Sequence, residues 1–265
     1  MGEAPSVSPQ VQDLRAILHQ ALRTVSPLER YKPSPTRRTV DGDVALFAGA
    51  DFRHVQVLGP AVPKHVFALA AAFFGDADGY SVEVEVETAG AVENALIRRE
   101  WVLTDEEPAL VLSEIPNPPV APAGLSIRLV TDAAGLDDFH ALSPQSARWV
   151  PSVAAATAPA VALFVGYVAG VPAAGARMAC LGPTVEITSV TTAAEFRRRG
   201  YGTALTWAAI GEGGRRGCTA AMLTATAIGY PLYLRMGFRR VCTFRSYVQP
   251  TVPMETVGQA SSGEG

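Results

Sequence analysis

A basic, glycine-bearing turn set between an alternating strand and an apolar helical stripe restricts this chain more than any other feature. Thr184 to Val190 alternates as a strand, with Val185, Ile187 and Ser189 on one face and Glu186, Thr188 and Val190 on the other. The turn Arg197-Arg198-Arg199-Gly200-Tyr201-Gly202-Thr203 follows. Ala204, Leu205, Ala208 and Ala209 then give the stripe of a buried helix that begins near Gly200. The continuous apolar run Thr219–Leu223 predicts a central strand. Pro231 suits the first turn of a short helix and Gly237 its C-terminal cap, with Leu232 and Met236 as a buried pair. Strands and helices in this alternation predict an α/β architecture.

The turn has a definite chemistry. A helix N-terminus presents unpaired N–H groups and about half a positive charge. Glycines there let the backbone approach an anion, and arginines add charge and directional donors. Together they predict a phosphate or pyrophosphate cradle. It is not a Walker A loop, because no Gly-Lys-Ser/Thr ending is present, and Leu205 stands where a dinucleotide fingerprint needs its third glycine. The carboxylate and hydroxyl of Glu186 and Thr188, between apolar neighbours, suggest that their strand face lines a cleft.

Composition bounds what such a site serves. A hydrophobic fraction of 48% and a charged fraction of 18% fit a globular protein, and a net charge of -3 gives no reason to expect nucleic acid. No apolar run reaches the roughly 18 residues that span a bilayer, and Met1 to Leu18 lacks the pattern of a secretory signal, so the expected compartment is the cytoplasm. Cys180, Cys218 and Cys242 are scattered and expected as buried thiols; the four histidines show no metal spacing, and no metal is expected.

Elsewhere the chain divides at Pro116 to Gly124 (PNPPVAPAG), a run that suits neither a sheet interior nor a helix. It separates an α/β half, residues 1–115, from a second half, 125–248, with a polar tail at 249–265. The first half is expected to hold a helix over Val11–Val25, an extended connection over Ser26–Arg38, and strands at Asp43–Phe47 and Arg53–Leu58. A helix at Val66–Phe74, a half-buried strand at Ser81–Glu87, a helix at Ala91–Arg99 and two strands, Trp101–Leu103 and Ala109–Leu112, complete it. In the second half Ser126–Leu129 reads as a strand, Asp132 starts a helix, and Ser143–Ala160 reads as a long loop. Val161–Val168 and Ala173–Leu181 pair as strands, and Arg239–Val248 is a last strand.

Strand, R-x-x-G-x-G (Arg197, Gly200, Gly202), helix, strand, then P-L-Y-x-x-M-G-F (Pro231 to Phe238) resembles the GCN5-related N-acetyltransferase (GNAT) family over about Leu125 to Tyr247. The resemblance implies a mixed sheet whose fourth and fifth strands splay apart around acetyl-CoA as co-substrate. It implies that the backbone of Val190, Thr191 and Thr192 binds the pantetheine arm. Arg197, Arg198, Arg199, Gly200, Tyr201, Gly202 and Thr203 would hold the pyrophosphate. It also implies Tyr233 as the acid that protonates the departing thiolate, with Tyr230 its competitor. A phenol near pKa 10 is reasonably matched to a thiolate near about 8.5. Glu186 is the candidate base, or else the partner of an arginine. The acceptor is a small-molecule amine or a protein or peptide amine, on a monomer or homodimer.

The first half resembles a faded copy, as in tandem GNAT proteins. Ala95 to Val102 overlays Pro231 to Phe238 with Ile97 at the tyrosine and Trp101 at the glycine, and Gly59 to His65 places two prolines where phosphate would need N–H donors. The alternatives are an unrelated α/β extension for this half, and, for the whole chain, a non-catalytic acyl-CoA-binding module or a structural protein without a ligand.

Overall fold

The computed structural model describes residues 9–24, 37–49, 52–75, 79–148, 150 and 152–249. In chain order the elements are α1 (Pro9–Thr24), β1 (Arg37–Asp41), β2 (Val44–Ala48), β3 (Arg53–Val57), α2 (Pro63–Phe74), β4 (Ser81–Glu85), α3 (Gly90–Ile97) and β5 (Val102–Leu112). Then come β6 (Leu125–Leu129), α4 (Ala133–Leu142), a 3-10 turn (Pro144–Arg148), α5 (Val153–Ala156), β7 (Val161–Val168), β8 (Val171–Leu181) and β9 (Thr184–Thr192). A second 3-10 turn (Ala194–Phe196), α6 (Tyr201–Arg215), β10 (Ala220–Thr224), α7 (Tyr230–Arg235) and β11 (Arg239–Val248) finish the chain. The mixed α/β class expected from the sequence is the class observed. Among the described residues no helix is long and apolar enough to cross a membrane.

Two compact units share the chain. Among the described residues, one is drawn from 9–24, 110–224 and 231–241, the other from 37–109, 225–230 and 242–249. Each therefore takes in a strand segment from the opposite half of the sequence.

In the first unit β6, β7, β8 and β9 run antiparallel in order, and β10 joins β9 in parallel. Leu136 and Phe139 of α4 pack with Val130, Val150, Leu163 and Val165 to make one core layer. The Asp132 side chain caps α4 by accepting from the Gly135 N–H. Helix α6 covers the opposite face, and the proline run lies along it: Pro118 and Pro122 come within 3.7 and 3.6 Å of where Cβ atoms on Gly211 and Gly200 would stand. Leu14, Leu18 and Leu22 are buried as the α1 stripe requires.

In the second unit β1, β2 and β3 are antiparallel, β3 and β4 parallel, and β4 pairs antiparallel with 244–248 of β11. Helix α2 starts on Pro63 and buries Val66, Ala70 and Phe74 at helical spacing. These pack with Val55, Val57, Val82, Val84, Val92 and Leu96.

Five expectations change. Arg37 and Arg38, assigned to an extended connection, open a strand that pairs with β2, while the rest of that connection up to residue 36 lies outside the described residues, as does the tail from residue 250. The two strands expected at 101–103 and 109–112 are one, β5, which runs through Pro108, whose carbonyl accepts from the Ala225 N–H at 3.0 Å. The long loop at 143–160 contains a 3-10 turn and α5. The strand at Ser81 is not half-buried: Ser81 and Glu85 are buried on the face opposite Val82 and Val84. Polar partners make that possible, with His54 Nδ1 2.8 Å from Ser81 Oγ and Gln56 Nε2 donating to Glu83 at 2.7 Å. Finally, Cys180 is only partly buried, unlike Cys218 and Cys242.

Candidate active site

Strand β9 carries four of the sequence-predicted residues, Glu186, Val190, Thr191 and Thr192. Its parallel register with β10 runs from Thr184↔Ala220 to Glu186↔Met222 and stops there, while β9 continues to Thr192. Beyond Glu186 the two strands part, as a fourth and fifth strand were expected to do.

On its other edge β9 pairs with β8, and here the ladder carries a bulge. Gly175 faces Thr191 but Arg177 faces Thr188, so Ala176 opposes both Ser189 and Val190. Ser189 takes the extra residue with φ at 52°, in a left-handed region that a non-glycine residue seldom enters. Gly175, opposite Thr191, must be small, since a Cβ there would meet the Phe139 ring at 3.2 Å.

The bulge inverts the facing of every residue after it, which corrects the simple alternation. Val185 lies against α6, where a Cβ on Gly213 would be 2.6 Å from it. Val190 and Thr192 lie against α6 as well, 3.9 and 3.2 Å from the Cβ position of Gly202. Val190 is therefore on the opposite face from Glu186. Thr191 points toward α4, donating its hydroxyl to the Leu142 carbonyl at 3.2 Å.

The turn after β9 is built from alternating backbone hands. Arg198 has φ 64° and Gly200 φ 79°, and the Ala193 N–H donates back to Ala173 O at 2.9 Å to hold the turn on β8. Such alternation points successive N–H groups into one concavity. No side chain caps α6 at Gly200, and the first helical bond is Ala204 N–H to Gly200 O at 3.0 Å. The N–H groups of Tyr201, Gly202 and Thr203 precede it and have no partner within the helix. Residues 197–200 are exposed.

The arginines are not equivalent. Arg197 Nε donates to the Thr192 carbonyl at 3.2 Å, tying the turn to the end of β9. Arg199 lies over the Phe196 ring at 5.9 Å. Phe196 in turn sits 6.4 Å from the ring of Tyr201, whose side chain is buried. What Tyr201 offers the turn is its N–H.

Glu186, the last residue of β9 paired with β10, is buried. Because Ala179 faces Glu186 and Arg177 faces Thr188, Glu186 and Arg177 share one face of the sheet as diagonal neighbours. Arg177 is 1% exposed, and its Nη1 donates to Thr188 Oγ1 at 3.2 Å. Sequence reasoning missed this guanidinium and the Ser189 bulge. Arg177 looks like any strand residue between Ala176 and Met178, and no residue preference marks a serine in a left-handed conformation.

Tyr233 is placed separately, on α7. It is 8% exposed and packs edge-on against Phe238, ring centres 5.9 Å apart. A Schellman cap fixes both: Phe238 N–H donates to Tyr233 O at 3.1 Å and Gly237 N–H to Leu234 O at 3.1 Å, with Gly237 at φ 94°. Tyr230, the competing phenol, is half-buried at the start of the same helix. Of the expected apolar pair, Met236 is buried and Leu232 only partly so. Among the described residues no group of three or more His, Cys, Asp or Glu side chains gathers as metal ligands would.

The residues fit a phosphate-bearing ligand on two counts. Among the described residues the only side-chain atom within 3.4 Å of the Gly202 Cβ position is a threonine hydroxyl, and α6 begins without a side-chain cap on its first N–H groups.

Comparison with known proteins follows the same line. Residues 133–238 match the family model described as the acetyltransferase (GNAT) family. No curated protein sequence matches the chain. Among solved structures, a GCN5-related N-acetyltransferase from Kribbella flavida is similar over 93% of this chain and 98% of its own, at 20% identity and a TM-score of 0.67. A tandem GNAT protein from the clavulanic acid biosynthesis pathway covers 95% of this chain and 90% of its own, at 12% identity and a TM-score of 0.58. A GCN5-related N-acetyltransferase from Sphaerobacter thermophilus gives 83% and 85%, at 15% identity and a TM-score of 0.55. Residues 133–238 thus carry the pattern of the acetyltransferase (GNAT) family, on a chain with the fold of solved GNAT structures.

Proposed function

We propose that the chain is an N-acetyltransferase that transfers acetyl from acetyl-CoA to an amine by direct attack on the thioester. The observation that carries this reading is the parting of β9 from β10 beyond Glu186 and Met222, with β9 bulging at Ser189 and running into the arginine-glycine turn. In this reading the backbone of Val190, Thr191 and Thr192 holds the pantetheine arm, as an added strand would be held. The turn from Arg197 to Thr203 holds the pyrophosphate through N–H groups and the charge of Arg198 and Arg199. Arg197 acts indirectly, through its bond to Thr192.

Acetyl-CoA supplies an activated acetyl group. Tyr233 donates its phenolic proton to the departing thiolate, and Glu186, directly or through water, takes the proton the amine loses. In this reading the described residues of the second unit supply no matching cradle. Pro60 and Pro63 lack N–H groups, and the Asp43 carboxylate occupies the space a Cβ on Gly59 would take. We assign it no co-substrate.

A second reading, an acyl-CoA-binding module without turnover, is favoured by Arg177, which shares the face of Glu186 and offers the carboxylate a charge partner in place of an amine. Following CoA release against a panel of small amines, amino acids and peptides separates the two. Release that depends on one amine class supports the enzyme. Saturable binding of acetyl-CoA with no amine-dependent release across the panel supports the module.

A further inference from the structure

The first unit holds a pair of thiols that acetyl transfer does not use. Cys180 is the penultimate residue of β8, and Cys218 precedes β10. Topology brings them together at the end of the sheet away from the arginine-glycine turn. The Gly182-Pro183 hairpin joins β8 to β9, and the Thr219 N–H donates to Pro183 O at 2.8 Å. The Cys218 thiol donates to the Gly182 carbonyl at 3.8 Å and is within hydrogen-bonding reach of Cys180. Cys218 is 6% exposed, whereas Cys180 is reachable from solvent.

The charged neighbours are asymmetric. Arg216, after the last turn of α6, is held by two backbone carbonyls, Pro159 O at 2.9 Å and Val161 O at 3.0 Å, and by Glu212 at 2.8 Å. The hydrogen bond from Cys218 pulls the Cys180 thiol down to about 7, with Arg216 lowering it further against burial and Glu212. The same bond raises Cys218, and burial adds to it. A partly exposed thiol held below its ordinary value, beside a second thiol, is the arrangement of a redox-responsive pair.

We propose that Cys180 is a reactive thiol that closes reversibly onto Cys218 as a disulfide. With a small-molecule disulfide as oxidant, the Cys180 thiolate attacks one sulfur, the reagent's S–S bond breaks, and one small thiolate leaves and takes up a proton. Cys218 then loses its proton and attacks the Cys180 sulfur, releasing the second small thiol. Two protein thiols are oxidised, and one small disulfide is reduced to two thiols. The bond would staple the β8–β9 hairpin to the turn before β10, where β9 and β10 are already paired, leaving their open end as it is.

The test uses the full chain in graded mixtures of reduced and oxidised glutathione, followed by a non-reducing tryptic map. Cys180 lies in peptide 178–197, Cys218 in 217–235 and Cys242 in 241–245. The expected result is a cross-linked pair of 178–197 with 217–235 that dithiothreitol reverses, with Cys242 still a thiol. Iodoacetamide should label Cys180 at pH 7 about five- to tenfold faster than in C218S, which should stop at the mixed disulfide. C218A repeats the comparison should serine replace the lost hydrogen bond. Failure of the pair to cross-link in fully oxidised glutathione overturns the proposal, as does a Cys180 labelling rate at pH 7 that neither variant changes.

Discussion

At the scale of single residues, the account divides binding from turnover. Gly202, Gly200 and Ser189 shape a backbone surface, while Tyr233 stands on a capped helix of its own. Tyr233→Phe removes one hydroxyl from a buried ring and keeps its packing on Phe238. We expect kcat to fall by about 10²–10⁴ while the acetyl-CoA dissociation constant stays within a factor of two or so, since a positioned acid acts only on the transition state. Rapid-quench or CoA-release kinetics beside a binding titration would show it. Full activity in the phenylalanine variant would remove the acid role. The phenol and the turn were legible because both sit in local motifs with fixed spacing. Arg177 and Ser189 were not, because a strand residue's burial and a bulge's position are set by the partner strand β8, which local pattern does not carry.

At the scale of elements, the contact of α6 with β9 sets how near the cradle stands to the strand edge. Three glycines near the end of α6 test it, because their surroundings differ. A Cβ on Gly213 would come within 2.6 to 2.8 Å of three Val185 side-chain carbons, a stiff β-branched group on a central strand. At Gly211 the nearest atom is 3.7 Å away, and at Gly214 it is 3.4 Å. Alanine gains about 1 kcal/mol over glycine inside a helix, whereas overpacking costs about 1–3 kcal/mol. Gly211→Ala should therefore stabilise the protein by up to about 1 kcal/mol in denaturant melts. Gly213→Ala should destabilise it by about 1–2 kcal/mol, with part of the loss recovered by adding Val185→Ala. Equal stability of the two single variants would mean that α6 does not sit on Val185 as described. Helix α6, its start and its stripe were readable from sequence. The joining of β5 into one strand was not, because Glu106, Glu107 and Pro108 look like a break in any local pattern.

At the scale of the whole molecule, each compact unit borrows a strand segment from the far half of the sequence, so that residues 242–248 complete the second unit. What fastens them is a carboxylate: Glu93, buried on α3, accepts from Tyr247 Oη at 2.7 Å and from Arg245 Nη1 at 2.8 Å. Burial, then the bond to Glu93, raises the Tyr247 phenol to about 12. A phenol whose proton is held more tightly in the folded state contributes stability that is complete below its ordinary value near 10. That stability drains away as pH rises from there to about 12. Across that interval the parent should lose about 2–3 kcal/mol more stability than Tyr247→Phe, read by chemical denaturation at stepped alkaline pH. Parallel pH profiles for the two proteins would contradict the Tyr247–Glu93 bond. Sequence alone does not show such a fastening, since Glu93 and Tyr247 are 154 residues apart.

The most direct test of the central claim is a calorimetric titration of acetyl-CoA into the full chain and into Gly202→Asp. Aspartate at the start of α6 suits the positive end of the helix, which offsets the 3.2 Å approach of its Cβ to Thr192 Oγ1, so the variant should fold with a melting temperature within a few degrees or so of the parent's. The same charge would oppose a pyrophosphate bound at that turn. The expected result is one acetyl-CoA per parent chain and at least a tenfold weaker affinity in the folded variant. Equal affinity in both proteins, or no binding to the parent at millimolar acetyl-CoA, would contradict the assignment of the arginine-glycine turn as the co-substrate cradle.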